Sequence, residues 1–80
     1  MTVLIRLQDV ARDVFENERI LLERGSTAAD IAEWDSVSHI ALVLAVEAAF
    51  DLRFGTAEIG SLENVGAFVD LIERKLRDAA

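Results

Sequence analysis

The stretch that decides the fold is DSVSHIALVLAVEAAF, residues 35–50. Most positions in 36–50 are apolar, and Ala, Leu and Glu favour a helix, although the valines would also suit a strand. Because a strand of this length would be exceptional, the length predicts a helix over 36–50. Its apolar residues occur on almost every side. That is typical of a central helix packed on several sides, or of a helix with an additional apolar contact surface.

Two further amphipathic helices are predicted on either side of this segment. Apolar residues recur every three or four positions over 3–16, and Thr2 is a candidate N-cap. Asn64 is a candidate N-cap for the last helix, whose apolar face consists of Val65, Phe68, Val69, Ile72 and Leu76. Between these helices, residues 56–60 predict one short helical turn that Gly60 closes.

A long loop is predicted over residues 17–35, which lack a strong hydrophobic period. We expect residues 20–22 to anchor this loop to the core, and Ile31 and Trp34 to hold its end. The sequence thus predicts an all-α fold in a single domain over 1–80. This fold is a small four-helix bundle with three longer helices, one short helix and a long first loop.

The composition excludes several classes of protein. The 80 residues include no Cys and one His, so neither a disulfide framework nor a thiolate metal site is expected. A net charge of -7 argues against binding to nucleic acid or to an anionic membrane. The N-terminal segment lacks the features of a signal peptide, and no apolar run reaches the length of a membrane span. We therefore expect a cytoplasmic protein.

No catalytic motif of known spacing occurs in the chain. One local cluster, Asp35, Ser36 and His39, contains the residue types of a hydrolase triad. Nothing near it supplies an oxyanion hole or a substrate cleft, so an enzyme is not expected. Ser36 instead stands where the ordered helix begins, and the free N–H groups and positive dipole end of a helix favour an anion such as a phosphate ester. The alternative is that Ser36, or Asp35, is an ordinary N-cap.

The residues around Ser36 resemble the acyl carrier protein family. That family has Asp-Ser-Leu or a close variant at the head of its second helix, and Asp35-Ser36-Val37 precedes the apolar helix here. The resemblance covers nearly the whole chain. Residues 3–16 resemble the first helix of the family, residues 54–59 the loop and short third helix, and residues 61–76 the last helix.

The resemblance implies a carrier without catalytic activity. A phosphopantetheinyl transferase would transfer a 4′-phosphopantetheine arm from coenzyme A to Ser36, and the terminal thiol of the arm would hold an acyl or aminoacyl group as a thioester. The other implied partners are acyl-loading and acyl-processing enzymes, and the carrier is expected to be monomeric and to bind no metal itself. The alternative function is a helical protein-interaction module in which Ser36 is only a helix N-cap.

Partner enzymes are expected to contact the region around Ser36. No Lys or Arg occurs between Arg24 and Arg53, whereas the acids there are Asp30, Glu33, Asp35, Glu47 and Asp51. Such a negative surface would steer basic partners. We assign partner recognition to five residues: Asp35, Val37, Ala41, Glu47 and Ala48.

The chain departs from the family pattern in two places. Many fatty-acid-type carriers have acids where Ser38, Ala41 and Ala48 stand. We therefore expect Val37, Ala41 and Ala48 to form an apolar docking patch for a dedicated partner. The Gly-Gly pair that often precedes the serine of peptidyl carriers is replaced by Glu33 and Trp34. Together with His39, these residues look more like a discrete carrier of a specialised, polyketide-type pathway.

Overall fold

A computed structural model describes residues 2–79 of the chain, and it contains four α-helices joined by loops. Their bounds are α1 Val3–Val14, α2 Ser36–Phe50, α3 Thr56–Gly60 and α4 Val65–Ala79, with a 3₁₀ turn at Ala28–Asp30. No strand occurs within the described range. The predicted all-α architecture, with three longer helices, one short helix and a long first loop, is confirmed.

Helix α1 begins as predicted but ends earlier. The Thr2 hydroxyl accepts the N–H of Ile5 at 3.3 Å and caps the helix. At the other end, Glu16 has a φ of 53°, and the N–H of Asn17 reaches back to the carbonyl of Arg12 at 3.0 Å. This left-handed C-terminal turn stops the helix at Val14, two residues before the predicted bound.

The core lies where α1, α2 and α4 meet. Helix α1 packs against both of the others, and the side chains that are at most 1% exposed are Leu7, Ala11, Leu42, Val46, Val65, Phe68 and Ile72. Helix α2 contributes only one side to this core, through Leu42, Val43, Val46 and Phe50. Of the two interpretations of its apolar character, the helix with an additional apolar surface is therefore confirmed.

The long first loop is tied to α1 by hydrogen bonds between helix side chains and the loop backbone. Gln8 of α1 accepts the N–H of Leu22 at 2.8 Å, and Arg12 donates to the carbonyl of Ile20 at 2.8 Å. Ile20 and Leu22 are buried as predicted, but the expectation for Leu21 was wrong, since it is 68% exposed. Successive residues of an extended segment point to opposite sides, so the middle residue of the three faces solvent.

The same loop also contacts the start of α4. The N–H groups of Val65 and Gly66 donate to the carbonyls of Ser26 and Arg24 at 2.8 and 2.7 Å, and Asn64 caps α4 by accepting the N–H of Ala67 at 2.8 Å. These contacts hold the middle of the first loop against the start of α4. None of the helices formed by residues 2–79 is long and apolar enough to cross a membrane.

Candidate functional site

The first turn of α2 is capped by Asp35. Its Oδ1 accepts the N–H groups of Val37 at 3.0 Å and Ser38 at 2.9 Å. These hydrogen bonds, those from Ser38 above all, hold the pKa of the Asp35 carboxyl below its ordinary value. The N-cap is thus Asp35, the second of the two residues that the sequence left open for this role.

Ser38 completes this cap from the other side. Its hydroxyl accepts the N–H of Asp35 at 2.7 Å and donates to the carbonyl of Glu33 at 2.7 Å. The two residues form a reciprocal capping box, which the spacing Asp35-x-x-Ser38 could have indicated. Ser38 therefore helps to fix the start of the helix.

Ser36 is the first residue of α2, and its side chain is exposed. No hydrogen bond joins its hydroxyl to any other group in residues 2–79, because Asp35 and Ser38 do the capping. The hydroxyl is therefore accessible to an outside enzyme. The structure does not use it as a helix N-cap.

At the N-terminus of α2, a carboxylate of the chain itself binds part of the anion site that the sequence suggested. The Asp35 carboxylate already takes up two of the free N–H groups, those of Val37 and Ser38. A carboxylate at this position accepts hydrogen bonds from the free N–H groups and interacts favourably with the positive end of the helix dipole. The Asp35 carboxylate is thus the anion at this helix end, and a phosphate ester on Ser36 stays a prediction.

His39 is held by Trp34 and does not form a triad. The indole N–H of Trp34 donates to Nδ1 of His39 at 3.1 Å, while the Asp35 carboxylate binds backbone N–H groups instead of the imidazole. Without a carboxylate to orient the imidazole, the hydrolase arrangement is not assembled.

A cleft of about 410 Å³ lies beside Ser36. Its walls include Trp34 and His39 from one side and Ile59, Leu62 and Phe68 from the other. The cleft thus lies between the start of α2, the short helix α3 and the start of α4. The cleft therefore offers a mainly apolar binding surface next to the exposed Ser36 hydroxyl.

The five residues assigned to partner recognition lie in different surroundings. Asp35, Val37, Ala41 and Ala48 are exposed. The Glu47 side chain is only 11% exposed: its Oε2 accepts the N–H of Phe54 at 2.8 Å, and its Oε1 lies 3.9 Å from Arg53. Glu47 therefore stabilises the turn after α2. No pattern in the sequence indicated this role.

The segment between Arg24 and Arg53 contains no Lys or Arg, but a cation from another helix lies against it in the folded protein. The Arg6 guanidinium of α1 donates to the carbonyl of Ala49 at 2.6 Å and lies 4.4 Å from the centroid of the Phe50 ring. A cation thus covers the C-terminal end of α2, where the helix dipole favours it. In the part of the chain that the structure describes, no cluster of three potential metal-ligating residues occurs.

Comparison with known proteins finds similarity among the solved structures. No protein-family model matches the chain, and no curated protein matches it significantly. Among solved structures, the solution NMR structure of a holo acyl carrier protein from Geobacter metallireducens is 37% identical and superposes with a TM-score of 0.92. The match covers 99% of this chain and 91% of that chain. The chain therefore belongs to the acyl carrier protein family, whose members are carriers and not enzymes.

Proposed function

We propose that Ser36 is the attachment site of a covalent 4′-phosphopantetheine arm supplied by coenzyme A. The observation that carries this proposal is the exposed, unbonded Ser36 hydroxyl at the head of α2. The surroundings of Ser36 fit the phosphopantetheine group, because the hydroxyl is accessible and the fold does not use it in a hydrogen bond. The structural relative described above is a holo carrier, which supports the same modification in this chain.

The arm supplies the thiol that this chain lacks, and it holds an acyl or aminoacyl group as a thioester. The residues of this chain contribute by positioning the attachment site. The capping box of Asp35 and Ser38 fixes the first turn of α2, so that Ser36 stands at a defined point on the surface. The cleft beside Ser36 is close enough to the attachment point to shelter apolar cargo from water.

The partners of such a carrier are a phosphopantetheinyl transferase and the enzymes that load and process the acyl group. We propose that the chain is a single carrier domain that works as a monomer in the cytoplasm. Partners are met through the exposed residues near Ser36, namely Asp35, Val37, Ala41 and Ala48. The role of Glu47 in recognition stays a prediction, and its hydrogen bond to Phe54 favours a structural role.

We further propose that the carrier serves a specialised, polyketide-type pathway, with fatty acid synthesis as the alternative. Ser38 is committed to the capping box, and Ala41 and Ala48 present methyl groups to solvent where acids are common in fatty-acid-type carriers. A partner that relies on those acids would find no counterpart on this surface.

The modification is tested by incubating the purified protein with coenzyme A, Mg²⁺ and a broad-specificity phosphopantetheinyl transferase. Mass spectrometry should show a gain of one phosphopantetheine in the wild type and in Ser61→Ala, but none in Ser36→Ala. Ser61 is the matched control because it is also exposed and lies outside α2. Ser36→Ala should keep the helical circular dichroism spectrum, since Asp35 does the capping.

A folded wild type that gains no mass would overturn the proposal. That result would favour the alternative, a helical interaction module without a modified serine. Modification that persists in Ser36→Ala would show that the attachment site lies elsewhere.

A further inference from the structure

Two side-chain N–H donors that line the cleft beside Ser36 have no hydrogen-bond partner in the part of the chain that the structure describes. They are Nε2 of His39 and Nδ2 of Asn64, which both belong to partly buried residues. The other nitrogen of His39, Nδ1, already accepts the indole N–H of Trp34. The Asn64 side chain uses its oxygen to accept the N–H of Ala67. A mainly apolar cleft with unused donors suits a ligand that brings acceptor oxygens.

Of these two donors, the imidazole of His39 lies one helical turn from Ser36. Side chains three positions apart on a helix are neighbours, with Cβ atoms about 5–6 Å apart. Helical side chains also lean towards the N-terminus of their helix, so the imidazole lies over the first turn of α2, where Trp34 contacts it. Both Ser36 and His39 line the same cleft. A group attached to the Ser36 hydroxyl therefore begins within reach of the imidazole.

Trp34 decides which nitrogen of His39 stays available to a ligand. Its indole N–H donates to Nδ1 at 3.1 Å, and an indole nitrogen can only donate. The hydrogen bond at one imidazole nitrogen sets the role of the other, so this contact leaves Nε2 as the donor. Trp34 is itself only 9% exposed and packs against Phe15, with ring centroids 6.1 Å apart. The core therefore fixes the orientation of the imidazole.

The charges around the cleft favour a donor beside Ser36. The residues that line the cleft include two acids, Asp35 and Glu63, and none of them is Lys or Arg. Asp35 also occupies the N–H groups of Val37 and Ser38, which an anion would otherwise use. A phosphodiester on the serine carries a negative charge, and a hydrogen bond from an N–H group to such an oxygen is stronger than one between neutral groups. The unused N–H donor nearest to the serine in the sequence is the imidazole.

We propose that His39 binds the attached end of the phosphopantetheine arm: its Nε2–H donates to an oxygen of the phosphodiester at Ser36. Trp34 is the positioning residue, because it keeps Nε2 available for this bond. The inference rests on the proposed function, since it concerns the same arm. It gives the pair of Trp34 and His39 a task beyond anchoring the end of the first loop. The arm then leaves Ser36 along the cleft, in which Asn64 offers a second donor.

The first test compares the apo and holo forms of the wild type by NMR at a pH of about 8, above the ordinary range of imidazole titration. Two-bond ¹H–¹⁵N correlations of the imidazole identify the protonated nitrogen and report a hydrogen bond at Nε2. We expect Nε2 of His39 to carry the proton in both forms, and its resonances to shift when the arm is attached. Unchanged Nε2 resonances in a sample whose mass shows complete loading would overturn the inference and leave the attachment at Ser36 intact.

The second test follows the ³¹P resonance of the phosphodiester in holo variants. His39→Leu removes the donor, so its resonance should move from that of the wild type towards that of the holo protein unfolded in urea, where only solvent contacts the phosphate. In His39→Gln an amide N–H can take the place of Nε2–H, and the resonance should return towards the wild-type value. The matched control is Ile40→Gln, which adds the same amide to the same turn of α2 but outside the cleft lining, and it should leave the resonance unchanged.

A variant of Trp34 separates the positioning role from packing. Trp34→Phe keeps an aromatic ring but removes the indole N–H. We therefore expect a second population of His39 with Nδ1 protonated, and a ³¹P resonance between those of the wild type and His39→Leu. A single Nε2-protonated population in Trp34→Phe would overturn the positioning role.

The remaining outcomes distinguish this inference from the proposed function. Equal ³¹P resonances in His39→Leu and His39→Gln, whatever their stabilities, would show that the pair only anchors the loop and would overturn the inference. If His39→Leu does not accept the arm, the comparison of apo and holo wild type decides. A wild type that gains no mass would overturn the proposed function, and this inference with it.

Discussion

The indole N–H of Trp34 donates a hydrogen bond of 3.1 Å to Nδ1 of His39, and the two rings stack with centroids 5.9 Å apart. Because the indole nitrogen only donates, Nδ1 of His39 is the acceptor in this contact. Trp34 also packs against Phe15 at the end of α1, with ring centroids 6.1 Å apart. The pair thus connects the end of the first loop, α1 and the first turn of α2, directly beside Ser36.

Replacement of His39 by Leu should destabilise the protein. The variant leaves the largely buried indole N–H of Trp34 without its acceptor, and an unsatisfied buried donor costs about 1–3 kcal/mol. Chemical denaturation measures the free energy of unfolding, and the fluorescence of Trp34, the single tryptophan, reports the local change.

The control for this prediction is Trp34→Phe, in which no indole N–H remains. In that background His39→Leu should have a smaller effect, with a coupling free energy of about 1 kcal/mol between the two positions. Strictly additive effects would show that the hydrogen bond and the stacking contribute nothing to stability.

Asp35 should make the stability of the protein depend on pH in the acid range. Its pKa in the folded protein lies below the ordinary value because it accepts N–H groups from Ser38 and Val37. A carboxylate with a lowered folded pKa contributes stability above its unfolded pKa of about 3.9. That contribution is lost as the pH falls through the folded pKa.

Asp35→Asn isolates this effect, because Asn caps a helix about as well as Asp but does not titrate. The wild type should be more stable than the variant at neutral pH, and the difference should disappear as the pH is lowered below about 3.9. The measurement is the unfolding free energy of both proteins across this range. A difference that stays constant with pH would contradict the role of the carboxylate.

Gly66→Ala should destabilise the protein although Ala normally favours a helix. A Cβ at position 66 would lie 2.9 Å from the carbonyl oxygen of Arg24, which accepts the N–H of Gly66 at 2.7 Å. Since a backbone atom cannot move as a side chain does, the loop must shift away from α4, and we expect a loss of about 1–3 kcal/mol. Thermal unfolding provides the measurement.

Gly60→Ala is the matched control, because nothing lies within 4 Å of its added Cβ. Its midpoint of thermal unfolding should be equal to or above that of the wild type, as a glycine in a helix is replaced by a better helix former. Equal effects at the two positions would show that the close contact between Gly66 and Arg24 is unimportant.

Glu47 should contribute to stability more than to recognition. Removal of its carboxylate in Glu47→Ala leaves the N–H of Phe54 without its acceptor, for an expected loss of about 1 kcal/mol in the free energy of unfolding. In Glu47→Gln an amide oxygen remains to accept this bond, so most of the stability should be kept. The same variant removes the charge and thereby tests recognition, and a clear rise in the transferase KM for Glu47→Gln would restore its predicted contact with partners.

Much of the fold could be read from local pattern. The caps Thr2 and Asn64 precede their helices as predicted, and α2 has its predicted bounds. These features depend on residues close together in the chain. In the first loop, Leu22 is buried and Leu21 is not, and the loop is held in this orientation by the hydrogen bond from Leu22 to Gln8 of α1. Local pattern could not distinguish the two leucines.

The candidate site also combines features that the sequence indicated with features that only the tertiary structure shows. Ser36 stood out because of its immediate neighbours and their resemblance to a known family. The role of Ser38 in the cap did not emerge from the sequence analysis, although its spacing from Asp35 was visible. The Trp34–His39 hydrogen bond requires a particular path of the loop end, which propensities do not specify.

The sequence by itself determined that the protein is helical and acidic, because helix periodicity and composition are local properties, and its resemblance to acyl carrier proteins implied a carrier. Only the tertiary structure decided which charges and apolar groups remain available to a partner. Arg6 reaches the end of α2 from another helix, and Glu47 turns inward to Phe54. The core covers one side of α2 and leaves Ile40 and Leu44 exposed on the other. Burial depends on which elements pack together, and that is set by contacts between residues distant in the chain.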